Sequence, residues 1–121
     1  MERDEFIHVI KEVYTELLKE FPTLKFNVYR DGGSVSISNQ NDEIIMLAPL
    51  QQIYDKERIC MWFNHIEILN EGCKDFNDSY KKENIISRML FDDLPTESSS
   101  DKEKIKKDII MLIKSTRLCH Q

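Results

Sequence analysis

Leu24-Lys25-Phe26-Asn27-Val28-Tyr29-Arg30-Asp31-Gly32-Gly33-Ser34-Val35-Ser36-Ile37-Ser38 is the stretch that decides the fold. Leu24, Phe26 and Val28 alternate with Lys25, Asn27 and Tyr29, and Val35 and Ile37 alternate with Ser34, Ser36 and Ser38. Period-two alternation is the pattern of strands with one wet face. Two of the chain's three glycines stand together at the join, where a hairpin needs positive φ. A second turn signal, Asn39-Gln40-Asn41-Asp42, leads into Ile44-Ile45-Met46-Leu47, apolar on both faces. The reading is a three-stranded antiparallel β-meander. Its third strand is the best covered and ends at Pro49, and the serine-rich second strand is an exposed edge.

On the N-terminal side, Phe6, Ile7, Ile10, Val13, Tyr14, Leu17 and Leu18 fall at helical spacing with Lys11, Glu12, Glu16 and Lys19 opposite. This predicts an amphipathic helix over residues 4–20, capped by Asp4 and stopped by Pro22. On the other side, residues 55–71 also satisfy helical spacing through Ile59, Trp62, Phe63, Ile66 and Leu69, with Gly72 at the C-cap position. A fourth buried strand is the competing reading of Ile59-Cys60-Met61-Trp62-Phe63. A further helix is expected from Asp78 to Phe91, and a last one after the capping-box pattern Ser100-Asp101-Lys102-Glu103. Residues 92–100, with Pro95 and Ser98-Ser99-Ser100, read as a flexible linker. The fold class is therefore α+β: an N-terminal helix, a three-stranded meander, and two to three C-terminal helices packed on one face of the sheet, leaving the other face free. At 121 residues, 1–121 reads as a single domain.

The formal net charge is −5, with eleven acids against seven bases in residues 1–60 and eleven against ten in 61–121. Affinity for a nucleic-acid backbone needs a concentrated positive surface, so nucleic acid is an unlikely partner. No apolar run approaches the ~18 residues of a membrane span, and the N-terminus shows no signal sequence. Three cysteines, Cys60, Cys73 and Cys119, cannot all pair within one chain. A cytoplasmic protein with reduced thiols is the expectation.

Cys60, His65 and Cys73 lack the close ligand spacing of a zinc site, and Cys119-His120 lies at a chain end that is expected to fray. A metal-dependent nuclease built on a helix and a sheet would carry an acid at its second strand and Glu-x-Lys on its third. Asp31 and Glu43 stand near those places, but Ile44 and Ile45 follow Glu43 and the lysine is missing. The order helix, three strands, helix is similar to that of double-stranded RNA-binding domains, which implies a lysine cluster opening the second helix. The corresponding residues here are Gln51-Gln52-Ile53-Tyr54-Asp55-Lys56-Glu57, so the similarity stops at topology. Neither a catalytic set nor a cofactor is expected.

The expectation is instead a small acidic protein-binding module that inhibits or regulates a partner, in the manner of phage or mobile-element inhibitors, anti-defence proteins and toxin-immunity proteins. Glu12, Glu16 and Glu20 load the first helix, and Asp31, Asp42 and Glu43 sit at the hairpin turns. Such carboxylates could face the basic groove of a nucleic-acid-binding protein. An assembly or secretion chaperone acting as a homodimer is the alternative, and a monomer suits the inhibitor. A third reading, RNA binding, would use the last helix, net +3 over residues 101–117, whose charges are expected to pair along that helix itself.

Overall fold

The computed structural model describes residues 3–29, 33–55, 58–63, 65–74, 85–90 and 99–120. On these residues the protein is α+β, with an N-terminal helix, antiparallel strands and a C-terminal helix. Helix α1 (Arg3–Leu18) leads through a turn at Pro22 into strands β1 (Lys25–Val28), β2 (Val35–Ser38) and β3 (Ile44–Ala48). Strands β4 (Leu50–Asp55), β5 (Arg58–Phe63), β6 (His65–Cys73) and β7 (Ile85–Leu90) follow. Helix α2 (Ser99–Lys114) and a 3-10 turn (Arg117–His120) close the described chain.

The meander is present, with Phe26 opposite Ile37 and Ile37 opposite Met46. It is part of a five-stranded sheet in the order β1-β2-β3-β6-β7, beside a two-stranded ribbon of β4 and β5. β3 lies at the centre, as its apolar faces require. Pro49 divides a long strand rather than ending it, since β4 resumes at Leu50. β4 pairs with β5 from Leu50 opposite Phe63 to Asp55 opposite Arg58, while β3 pairs with β6. One long hairpin thus serves the main sheet at its base and forms the ribbon at its tip.

Two expectations are overturned. Of the helix predicted over residues 55–71, Asp55 ends β4, residues 58–63 form β5 and residues 65–71 belong to β6, which also contains Gly72, while residues 56, 57 and 64 lie outside the described residues. Of the helix expected from Asp78 to Phe91, residues 85–90 form β7, paired with β6, and residues 78–84 and 91 lie outside the described residues. The cause is burial on both faces: Ile66, Glu67, Ile68 and Leu69 are all buried, so the strand shows no alternation for a sequence reading to find. Strands rather than a helix also follow β3, so the likeness to double-stranded RNA-binding domains does not extend past the meander.

Both helices pack on one face of the sheet. Phe6, Ile10, Val13 and Leu17 of α1 and Ile105, Ile109 and Ile113 of α2 meet Val35, Ile37, Met46 and Ile66 in one core cluster. The opposite face is closed as well. Ile44, Leu47, Leu69 and Cys73 form a second buried cluster there, joined by Tyr29. Ser34, Ser36 and Ser38 are buried too, so β2 is an interior strand and not an exposed edge. Small hydroxyls are tolerated there because they are hydrogen-bonded: Asn27 Nδ2 donates to Ser36 Oγ at 3.1 Å and to Ser38 Oγ at 2.8 Å, and the Tyr29 and Ser36 hydroxyls lie 2.9 Å apart. The edge is β1, whose Val28 is 53% exposed.

Candidate functional site

Each helix carries a charged stripe beside its apolar face, and packing turns the two stripes toward each other. α1 holds four acids and two bases and α2 three acids and five bases, so the pair is neutral. Lys102 Nζ lies 3.6 Å from Glu5 Oε1, and Lys114 Nζ lies 2.7 Å from Glu20 Oε2 just past α1. Between them, half-buried Lys106 joins Glu12 of α1 to Glu103 of its own helix, and His8 Nε2 stands 2.8 Å from Glu12 Oε1. The lysines expected to pair along the last helix therefore pair largely across to α1, an arrangement invisible in sequence because Glu12 and Lys106 are 94 residues apart.

Two members of this network, Glu12 and Lys106, have displaced titrations. The hydrogen bond from Lys106 holds the Glu12 carboxyl below its ordinary 4.5, and the hydrogen bonds to Glu103 and Glu12 hold the Lys106 ammonium above its ordinary 10.5. A depressed carboxyl stabilises the fold above its unfolded value and ceases to do so as the pH falls through its folded value. Stability measured by urea unfolding is thus expected to fall below about pH 4.5, more steeply in the native chain than in Lys106→Met, which lacks the partner. Equal acid limbs in the two proteins would count against the pairing.

Five of the six acids expected to meet a partner lie among the described residues. Glu12 is engaged as above, Glu16 with Lys19 at 3.0 Å, and Glu20 with Lys114. Asp42 receives Lys25 at 2.6 Å, and that hydrogen bond holds its carboxyl below the ordinary 3.8. Glu43 accepts from Asn39 Nδ2 at 3.1 Å. Asp31 lies outside the described residues. Asp42 and Glu43 share the β2–β3 turn at one end of β2.

Above the ion pairs the helices diverge into a groove of about 710 Å³. Its α1 wall presents His8, Lys11, Glu12 and Thr15, its α2 wall Glu103, Lys106 and Lys107, and Ile110 contributes an apolar patch. The volume lies in the range of ligand clefts, about 300–1,000 Å³. Nothing in the sequence marked Lys11, Lys107 or Ile110 as a group, because the wall is assembled from two helices at opposite ends of the chain.

Cys119 is buried at 2% exposure, and burial pushes its thiol up to about 11. The 3-10 turn that carries it does not fray: Asn39 Nδ2 donates to Leu118 O, the Cys119 amide donates to Thr116 Oγ1, and the His120 ring packs edge-on against Phe21 at 5.2 Å. A thiol so protonated is a poor nucleophile. Iodoacetamide at pH 8 is expected to leave Cys119 unlabelled in the folded chain and to label it in urea, read by peptide mass spectrometry. Rapid native labelling would contradict its burial. Among the described residues, no group of three or more His, Cys, Asp or Glu side chains could hold a metal ion, and no helix is long and apolar enough to cross a membrane.

No protein-family model matches the chain, and no curated protein or solved structure matches it.

Proposed function

We propose that this chain is a small protein-binding module that inhibits or regulates a partner protein, and that it docks through the outer face of the α1–α2 pair. The groove between these helices supports the reading: it combines a ligand-sized volume, charges of both signs and an apolar patch on two helices anchored to the core. Rigid elements bearing a mixed surface suit recognition of another folded protein better than a mobile loop would.

The geometry weighs against the other two readings. A chaperone that lays a client along a sheet needs an open face, and the face opposite the helices is buried at Ser36, Leu47 and Leu69. RNA binding by the last helix would find three of its lysines, Lys102, Lys106 and Lys114, already meeting carboxylates, which leaves only Lys104 and Lys107 of that helix without an ion pair among the described residues. A wholly acidic docking surface would likewise compete with the lysines paired to Glu12, Glu16 and Glu20. Beyond the helices, acids stand at the β2–β3 turn as Asp42 and Glu43, and Asp42 already receives Lys25.

The test is capture on the immobilised full chain at low and moderate salt, with bound protein and nucleic acid both identified, followed by assay of the captured protein's activity with and without the chain. One protein recovered and altered in activity at stoichiometric addition is the expected result. Recovery of nucleic acid instead would overturn it. Reversing Asp31, Asp42 and Glu43 together decides whether the acids of the hairpin turns take part: unchanged binding and unchanged salt dependence would remove them.

A further inference from the structure

The charges of the α1–α2 groove are not equally satisfied. Every carboxylate in its lining has a cationic neighbour: Glu12 and Glu103 have Lys106, and Glu16 has Lys19. Lys11 on one wall and Lys107 on the other form no ion pair among the described residues, and both are exposed. Lys104 is likewise exposed and without an ion pair among those residues, and lies three positions before Lys107 on α2. Four positions beyond Lys107 stands Met111, 64% exposed, one of two large apolar side chains found exposed among the described residues. Helical spacing puts Lys104, Lys107 and Met111 on one outward stripe, and Ile110 borders it inside the groove. The free charges of the site are thus positive, and on α2 the apolar pair Ile110 and Met111 follows them.

We propose that this groove takes an acidic, amphipathic peptide segment of the partner protein, with carboxylates meeting Lys11, Lys104 and Lys107 and an apolar side chain seated against Ile110 and Met111. The inference rests on the protein-binding reading and names the chemistry of the partner at that site. A peptide can space its acids around the internal carboxylates, whereas a nucleic-acid backbone carries charge continuously and would run over Glu12, Glu16 and Glu103. Phe, Tyr and Trp are also absent from the lining, so His8 is the one aromatic ring it offers for stacking a base. Methionine adapts to varied apolar partners, as helix-in-groove recognition requires.

The probe is a short synthetic peptide of Glu and Leu, titrated into the isotope-labelled full chain and followed by amide chemical shifts. Shifts centred on Lys11, Thr15, Lys107, Ile110 and Met111 are expected. Affinity should fall about tenfold in Lys11→Glu/Lys107→Glu and again between about 50 mM and about 300 mM salt. The neutral pair Lys11→Gln/Lys107→Gln should lie between, and native amide dispersion in both variants excludes unfolding as the cause. Absent or scattered shifts, affinity indifferent to charge reversal, or stronger shifts of the same amides with oligouridylate would each overturn the proposal. If Lys11→Glu/Lys107→Glu still captures and alters the same protein partner, the groove assignment fails while the protein-binding reading stands. If no protein is captured by the native chain, that reading fails as well.

Discussion

Phe6→Ala is expected to destabilise the protein by about 3–5 kcal/mol, the largest loss foreseen for any single truncation discussed above. Phe6 is fully buried in the first turns of α1, in the cluster that joins both helices to β2, β3 and β6. Removing the ring forfeits its burial and leaves a cavity that two helices and a central sheet cannot easily close. A domain of ordinary stability has only about 5–15 kcal/mol in total, so the variant should unfold at markedly lower urea with an unchanged m-value. A loss below about 1 kcal/mol would mean that α1 is not seated on the sheet as described.

Asn39→Ala is expected to cost about 3 kcal/mol although no apolar surface is involved. Asn39 is fully buried at the β2–β3 turn, and its side chain serves three partners. Oδ1 accepts the amides of Asn41 at 2.9 Å and Glu43 at 3.0 Å, which shapes the turn and supports Asp42 at its left-handed φ of 62°. Nδ2 donates to Glu43 and, at 3.1 Å, to the carbonyl of Leu118 in the C-terminal 3-10 turn. Alanine strands buried backbone groups at two places far apart in the chain. Asn39→Asp separates them, because a carboxylate still accepts the two amides but cannot donate to Leu118 and faces Glu43. In that variant the thiol of Cys119 should become reactive to iodoacetamide while the β2–β3 turn keeps its amide shifts. A native-like thiol in both variants would show that Asn39 does not hold the C-terminal turn.

Legibility in the sequence followed the range of the interactions. The stripe Phe6, Ile10, Val13 and Leu17 predicted α1 because a helix closes its hydrogen bonds within four residues and buries one face. The meander was equally open to reading, since β1 and β2 alternate and their turns carry glycine, asparagine and aspartate. β5, β6 and β7 were not. Ile66-Glu67-Ile68-Leu69 is buried throughout, and its short apolar run suits a helix as well as a strand. The expected acidic surface shows the same limit in electrostatics: composition correctly located the carboxylates of α1, but their lysine partners lie on a helix about ninety residues away.

By itself, the sequence determined the two helices, the three-stranded meander with its two turns, and the buried faces of α1 and α2. These depend on local hydrogen bonding, turn chemistry and periodicity, all of which act over a few residues. The tertiary structure alone decided that residues 65–73 and 85–90 complete the sheet while 50–55 pair with 58–63 in a ribbon, that the serines of β2 are interior, and that acids and lysines from opposite ends neutralise each other. Strand pairing, burial and ion pairing each need a partner that the chain brings close only by folding, and the groove between α1 and α2 exists only once that has happened.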